Sequence, residues 1–258
     1  MIGMNLLAIA ALLTVALAIP SMFSGRPKGG FTSHLFNNQY FFNYEFANED
    51  SNVNILFIAG EQNAGLQFVK GDNSYVHYAS QLNASLYALE HRYYGDSHPT
   101  EDLSVENLKY LTSRQAIEDI AEFIRQKNEE KKEEQKWIVV GGSYAGALSA
   151  WSRLIHPELI VGSLSSSAPL LAQMDFYGYL QTVEEDLKKI GGPCHDQMNI
   201  NFTDTVLELS GVGFEGDTSS RLWLYQTCNE FGFFHSSDRG TSVFGQTQPS
   251  KFIDYWKN

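Results

Sequence analysis

Ser143 stands between a β-branched run and a stretch of small residues, a setting that is typical of a catalytic serine. Residues 137–149 read Trp-Ile-Val-Val-Gly-Gly-Ser-Tyr-Ala-Gly-Ala-Leu-Ser. The β-branched run suits a buried strand, and the small residues after the serine suit a helix that packs closely on a sheet. A sharp turn between the two, called a nucleophile elbow, exposes the serine hydroxyl. The pattern predicts a serine hydrolase with Ser143 as the nucleophile.

The residues that flank the serine agree with this prediction. A nucleophile elbow holds its serine in a strained backbone conformation, so we expect its neighbours to be small. Gly141 and Gly142 precede Ser143, and Ala145 and Gly146 follow it. The motif is Gly-x-Ser-x-Ala, a mild departure from Gly-x-Ser-x-Gly. A serine in an ordinary glycine-rich turn is the alternative, but the strand before it and the helix after it favour the elbow.

An acyl-transfer serine also needs hydrogen-bond donors for the oxyanion. In this architecture one donor is the backbone N–H after the nucleophile, which belongs to Tyr144. The second should come from the loop after an earlier strand, and the backbone amide of Gly60, Glu61 or Gln62 is the candidate. This chemistry requires no cofactor. Two cysteines are too few ligands for a metal site of their own, so we expect no metal.

Strand and helix patterns alternate along the chain. Thr112 and Gln115 read as a capping box, with apolar residues at helical spacing behind them. Alternating strands and helices predict an α/β-hydrolase core with a largely parallel sheet. The predicted strands are 53–59, 85–89, 137–140 and 161–165, and the predicted helices are about 113–128 and 144–155.

Composition and targeting signals narrow the class of protein. Hydrophobic residues make up 43% of the chain, and the formal net charge of −12 argues against nucleic acid as a partner. Residues 1–18 read as a signal peptide that ends in Ala-Leu-Ala, with an uncleaved anchor as the alternative. The apolar run is short, so we expect no stable membrane span. The predicted destination is the secretory pathway, either extracellular or lysosomal.

Glycosylation sequons and cysteines are compatible with that route. Asn83 and Asn201 each begin an Asn-x-Ser/Thr sequon. Cys194 and Cys228 are the two cysteines, and in an oxidising compartment they would most simply form a disulfide. Two unpaired thiols are the alternative.

Four segments resemble the serine peptidases of family S28. They are Gly-Gly-Ser-Tyr-Ala-Gly at 141–146, Leu-Glu-His-Arg-Tyr-Tyr-Gly-Asp-Ser-His-Pro at 89–99, and the stretches 108–116 and 161–169. The resemblance implies an α/β-hydrolase fold and an exopeptidase that cleaves peptides next to proline. Both a carboxypeptidase and a dipeptidyl-peptidase mode occur in the family.

The resemblance also implies that parts of a family member are missing. Family members are roughly twice as long, with a helical insertion over the hydrolase core. We therefore expect a first part of the core at 19–170 and a remnant of the insertion at 171–258. The family's late Asp and His segments are not found, so the triad acid and base have no candidate by resemblance.

Three histidines follow Ser143 in the sequence. We expect His156 to lie at the far end of the helix that Ser143 begins, and His195 and His235 to lie in lid-like sequence. A serine without a base is a poor nucleophile at neutral pH. An inactive relative that acts as a binding module is therefore the second hypothesis. A general esterase is a weaker third, because the other matched segments argue against it.

Overall fold

Within the described residues, five strands form one mixed sheet. The computed structural model describes residues 38–48, 50–131, 134–190, 206–207, 209–232 and 234–236. The strands are β1 (Tyr40–Asn43), β2 (Val53–Ile58), β3 (Ser85–Leu89), β4 (Lys136–Gly142) and β5 (Ile160–Ser166). Their order across the sheet is β1-β3-β2-β4-β5. β1 runs antiparallel to β3, and all other neighbours are parallel.

The parallel strands are joined by helices. The longer ones are α1 (Ser74–Leu82), α3 (Ser113–Glu129), α4 (Ser143–Ile155), α5 (Tyr177–Ile190) and α6 (Ser219–Gln226), and α2 (Val105–Leu108) is a single turn. A π-helical turn, Thr227–Phe231, continues α6. Leu66–Phe68 forms one 3-10 turn.

Helices cover both faces of the sheet because successive strand residues point to opposite sides. Leu56 and Ile58 of β2 pack with apolar residues of α3 and α4 on one face. Their neighbour Ile55 packs on the other face, against Tyr75, Val76 and other residues of α1. All five residues of β3 are buried, as expected for a parallel strand that is covered on both sides.

Residues 219–231 pack directly against this core. Phe231 belongs to the cluster that α3 and α4 form with the sheet, and Trp223 packs against it. The Glu230 carboxylate accepts hydrogen bonds from the backbone N–H of Ser113, at 2.9 and 3.1 Å, and from its hydroxyl. It therefore satisfies a backbone donor that the start of α3 leaves without an intrahelical partner.

The predicted elements are confirmed, with shifts of one or two residues at their ends. The predicted capping box is half right. The Thr112 hydroxyl accepts from the Gln115 backbone N–H at 3.2 Å, but the Gln115 side chain accepts a hydrogen bond from Arg92 instead of returning to Thr112. The buried guanidinium needs acceptors, and the Gln115 side-chain oxygen is one of them.

The strand order and the serine turn at the end of β4 are those of an α/β-hydrolase core. The antiparallel strand β1 and the helix α1 were not anticipated. The predicted signal peptide at 1–18, Asn201 and Cys194 lie outside the described residues, so the cleavage, the second sequon and a Cys194–Cys228 disulfide stay predictions.

Candidate active site

Ser143 lies at the junction of β4 and α4, exposed to solvent. Its φ angle of 55° is in the left-handed region, which residues other than glycine rarely adopt. Holding a serine there costs on the order of 1–3 kcal/mol, which the packing around it must offset. This is the backbone geometry that a nucleophile elbow requires.

The glycines around the serine have unequal roles. A Cβ on Gly141 would lie 2.1 Å from the carbonyl oxygen of Ala145, and one on Gly146 would lie 2.8 Å from that of Ser166. At Gly142 a Cβ would meet nothing closer than 4.0 Å. The expectation that every flanking residue must be small is therefore wrong for Gly142, because its side chain would point into open space.

The loop after β2 touches the first turn of α4. Gly60 has a φ of 65°, and a Cβ there would lie 2.8 Å from the Cβ of Ala145. This contact brings the backbone of residues 60–62 beside the elbow, where the second oxyanion donor was predicted. Tyr144 supplies the first predicted donor from the N-terminal turn of α4. Neither amide assignment is tested by this geometry alone, and both stay predictions.

The Glu61 side chain is a neighbour of Ser143 that the sequence did not reveal. Burial raises the pKa of Glu61 above its usual value, while the nearby Ser143 hydroxyl and the residue's own backbone N–H favour the charged form and oppose that shift. The sequence predicts a role only for the backbone amide of this residue.

Three of the described histidines make contacts with groups other than the Ser143 hydroxyl. His156 caps the far end of α4, roughly 20 Å away by the helical rise, and its Nε2 lies 3.2 Å from a carboxylate oxygen of Glu118. The ring of His235 stacks on that of Tyr179, with centroids 3.9 Å apart. The Nε2 of His91 contacts the Tyr144 hydroxyl at 3.0 Å. His195 lies outside the described residues.

The described ranges hold no group of three or more His, Cys, Asp or Glu side chains that could bind a metal ion. None of their helices is long and apolar enough to cross a membrane.

Most of the chain matches one known protein family. The model of the family described as serine carboxypeptidase S28 matches residues 31–210 and 198–255. The chain belongs to the serine carboxypeptidase S28 family. The resemblance inferred from the four sequence segments is thus confirmed, and the elbow lies inside the matched region.

Several curated S28-type relatives align with part of the chain. A Caenorhabditis elegans protein named as a serine protease is 37% identical over 166 residues, which are 64% of this chain and 31% of that protein. Human lysosomal Pro-X carboxypeptidase is 35% identical over 167 residues, 62% of this chain and 34% of that protein. Human thymus-specific serine protease is 38% identical over 141 residues, 52% of this chain and 27% of that protein. The alignments thus span about a third of each relative.

Solved structures show a more distant likeness. Proline iminopeptidase of Mycobacterium smegmatis has a TM-score of 0.43 and 12% identity, over 76% of this chain and 59% of that chain. Monoacylglycerol lipase of Paleococcus ferrophilus has a TM-score of 0.39 and 12% identity, over 76% and 74%. These values are too low to bear on the function of the S28 chain.

Proposed function

We propose that this S28 chain carries the nucleophile of a serine-type exopeptidase that cleaves peptides next to proline. The observation that supports the proposal best is the left-handed backbone of Ser143, exposed between β4 and α4. An elbow motif can be kept for the fold alone in a protein that has lost its activity. A serine on a strained backbone with an exposed hydroxyl is, however, what acyl transfer requires.

The mechanism follows from the positions of the elbow groups. The Ser143 hydroxyl oxygen attacks the peptide carbonyl carbon, the C–N bond breaks, and an acyl-enzyme forms that water then hydrolyses. The Tyr144 N–H and an amide of residues 60–62 would stabilise the oxyanion of each tetrahedral intermediate. A general base must take the serine proton and pass it to the leaving amine, and His156, at the far end of α4, is too far from Ser143 to do so.

An inactive binding module is the second candidate. It is favoured by the distance of His156 from the elbow and by the contacts that His91 and His235 make elsewhere. In that case the cleft would hold a peptide without cleaving it, because an unactivated serine is a poor nucleophile.

The proposed location is the secretory pathway, with the lysosome as the destination suggested by the name of the human carboxypeptidase relative. Asn83 supports that route, because it lies exposed at the end of α1 where a glycan could be carried. The proposed substrates are therefore peptides of the extracellular space or the lysosome.

Two proline peptides test the activity and its mode. An N-blocked Ala-Pro-Phe with a free carboxyl end reports carboxypeptidase cleavage, and an Ala-Pro amide with a free amino end reports dipeptidyl-peptidase cleavage. We expect the purified chain to release product from one of them and the Ser143→Ala variant to release none. Equal rates of release by the two proteins would show that Ser143 is not the nucleophile. Release from neither peptide, together with measurable peptide binding, would favour the binding module.

A further inference from the structure

The side chain of Tyr144 is buried and packed against a distant segment of the chain. Its backbone N–H is the predicted oxyanion donor, while its phenol is buried beneath α6, with 1% of its surface exposed. The ring packs against those of Trp223 and Phe231, with centroids 5.5 Å away in each case, and these two rings are themselves 5.7 Å apart, so the three form one cluster. Tyr144, next to the nucleophile, is thus packed against α6 and its π-helical turn, about eighty positions later in the chain.

A chain of hydrogen bonds fixes the Tyr144 hydroxyl. It lies 3.0 Å from the Nε2 of His91 and 3.0 Å from the side-chain nitrogen of Gln226. The side-chain oxygen of Gln226 accepts a hydrogen bond from the Tyr94 hydroxyl at 2.7 Å. The Nδ1 of His91 lies 2.8 Å from the carbonyl oxygen of Arg92.

The direction of every bond in this chain is determined. A backbone carbonyl can only accept, so the Nδ1 of His91 must carry a proton and donate to it. In the neutral ring the Nε2 then accepts, and the Tyr144 hydroxyl donates to it. A lone pair of the Tyr144 hydroxyl then accepts a hydrogen bond from the Gln226 side-chain N–H. The Gln226 side-chain oxygen accepts a hydrogen bond from the Tyr94 hydroxyl. No member can be reversed without leaving a buried group unsatisfied.

Burial keeps this arrangement in one protonation state. His91, Tyr94 and Gln226 are 4%, 1% and 0% exposed. Burial lowers the pKa of His91 to about 4, so its ring is neutral at the pH of both the lysosome and the extracellular space. Burial also raises the pKa of Tyr144 well above its usual value, which keeps its hydroxyl a donor.

We propose that Gln226 and His91 are positioning residues, which lock the Tyr144 side chain and thereby hold its backbone N–H and the adjacent Ser143 in reactive geometry. The proposal rests on Ser143 being the nucleophile. It makes α6 part of the machinery of the elbow, because Gln226 is the last residue of that helix. A misplacement of about 1 Å at a reacting group can cost on the order of 10²-fold in rate, so a loosened Tyr144 should be felt in catalysis.

The test compares Tyr144→Phe, Gln226→Met and the double variant with Tyr75→Phe. Tyr75 is a matched control, because it is also buried and its hydroxyl has no hydrogen-bond partner among the described residues. The readouts are the saturating rate of Ser143 labelling by a fluorophosphonate, its half-saturation concentration, and the thermal midpoint.

We expect each variant of the network to lower the saturating rate about tenfold with the half-saturation concentration unchanged. The double variant should be no slower than Tyr144→Phe, because both changes break the same chain. Tyr75→Phe should stay within about twofold of the wild type. Full labelling rates in Tyr144→Phe and Gln226→Met would overturn the proposal, as would effects that simply add in the double variant.

A second measurement separates this proposal from the assignment of the nucleophile. If the wild-type chain is not labelled at all, the proposed peptidase activity fails for this chain, and labelling cannot report on Tyr144. The backbone amide resonance of Tyr144 in a ¹⁵N-labelled sample then decides. It should move in Gln226→Met and not in Tyr75→Phe, whereas an unmoved resonance in both would show that Gln226 does not position the amide.

Discussion

Gly60 and Ala145 touch so closely that a methyl group on Gly60 would lie 2.8 Å from the Cβ of Ala145. This contact joins the loop after β2 to the first turn of α4, and it brings the two predicted oxyanion segments together. The Ala145 methyl thus occupies space that a side chain at position 60 would need. The close approach is made possible by the missing side chain on the other partner, Gly60.

Gly60→Ala should damage the site in two ways. Its φ of 65° strains any residue with a Cβ, and the new methyl would overlap Ala145. We expect a loss of about 2–4 kcal/mol in the free energy of unfolding, measured by urea denaturation, and slower labelling of Ser143. Gly71→Ala is the control, because its φ of 94° is equally unfavourable but its nearest atom is 4.0 Å away. Equal losses in both variants would show that the contact with Ala145 is unimportant.

Glu61→Gln should change stability in a pH-dependent way. Burial raises the pKa of Glu61 in the folded protein above 4.5, so folding favours its protonated form. The stabilisation is complete below pH 4.5 and is lost as the pH rises through the folded pKa. The amide lacks this penalty, so we expect the variant to gain thermal midpoint relative to the wild type at pH 7 and to match it near pH 4.

Glu106→Gln, at an exposed position of α2, shows what removal of a surface charge does by itself. A gain at pH 7 that is the same in both variants, or a gain for Glu61→Gln that persists at pH 4, would rule out this account of the Glu61 carboxyl.

The buried pair of Arg92 and Asp119 should be essential for folding. The guanidinium donates from Nε and Nη2 to the two carboxylate oxygens, at 2.7 and 2.6 Å, and the side chains are 1% and 6% exposed. Asp119→Ala leaves a buried charge without its partner, which typically costs about 3–5 kcal/mol. Glu122→Ala, which breaks the more exposed pair with Arg125, should cost less than about 1 kcal/mol. Similar denaturation midpoints for the two variants would contradict this.

Asn83 should carry an N-linked glycan when the chain is made in a secretory host. It is exposed and caps α1 in the left-handed conformation, with a φ of 50°. Asn83→Gly removes the acceptor and keeps a residue that adopts this conformation easily, so folding should be retained. We expect the mass lost on treatment with an N-glycosidase to decrease in the variant. An unchanged mass loss would place all glycans elsewhere.

The purified chain should associate through β5. This strand is at the edge of the described sheet, and its Val161 and Leu164 side chains are 55% and 40% exposed. An open apolar edge pairs readily with other chains, and a lysine on it interferes. Sedimentation should show concentration-dependent oligomers that Val161→Lys reduces, while the same change at exposed Val105 of α2 leaves them intact. A clean monomer at all concentrations would contradict this prediction.

Local patterns in the sequence were sufficient for the elbow itself. The β-branched run before Gly141 and the small residues after Ser143 depend only on residues close in sequence. The bounds of β4 and α4 are therefore predicted to within one or two residues. The family segments indicated the chemistry through similarity to known peptidases, not through physical argument.

Contacts between distant segments could not be predicted in the same way. Gln226 meets Tyr144 across 82 positions, and Glu230 meets Ser113 across 117. No spacing rule connects such pairs, because they are brought together by the packing of α6 on the core. For the same reason the position of the Glu61 carboxyl near Ser143 could not be predicted, because it depends on how the loop after β2 packs against α4.

Covalent labelling of Ser143 tests the central claim most directly. The purified chain is incubated with a fluorophosphonate at neutral pH, digested, and analysed by mass spectrometry for the modified peptide, with Ser143→Ala and the heat-denatured chain as controls. If the elbow holds an activated nucleophile, the adduct lies on Ser143 in the folded wild type and is absent from both controls. A folded chain that remains unlabelled would contradict the peptidase assignment for this chain.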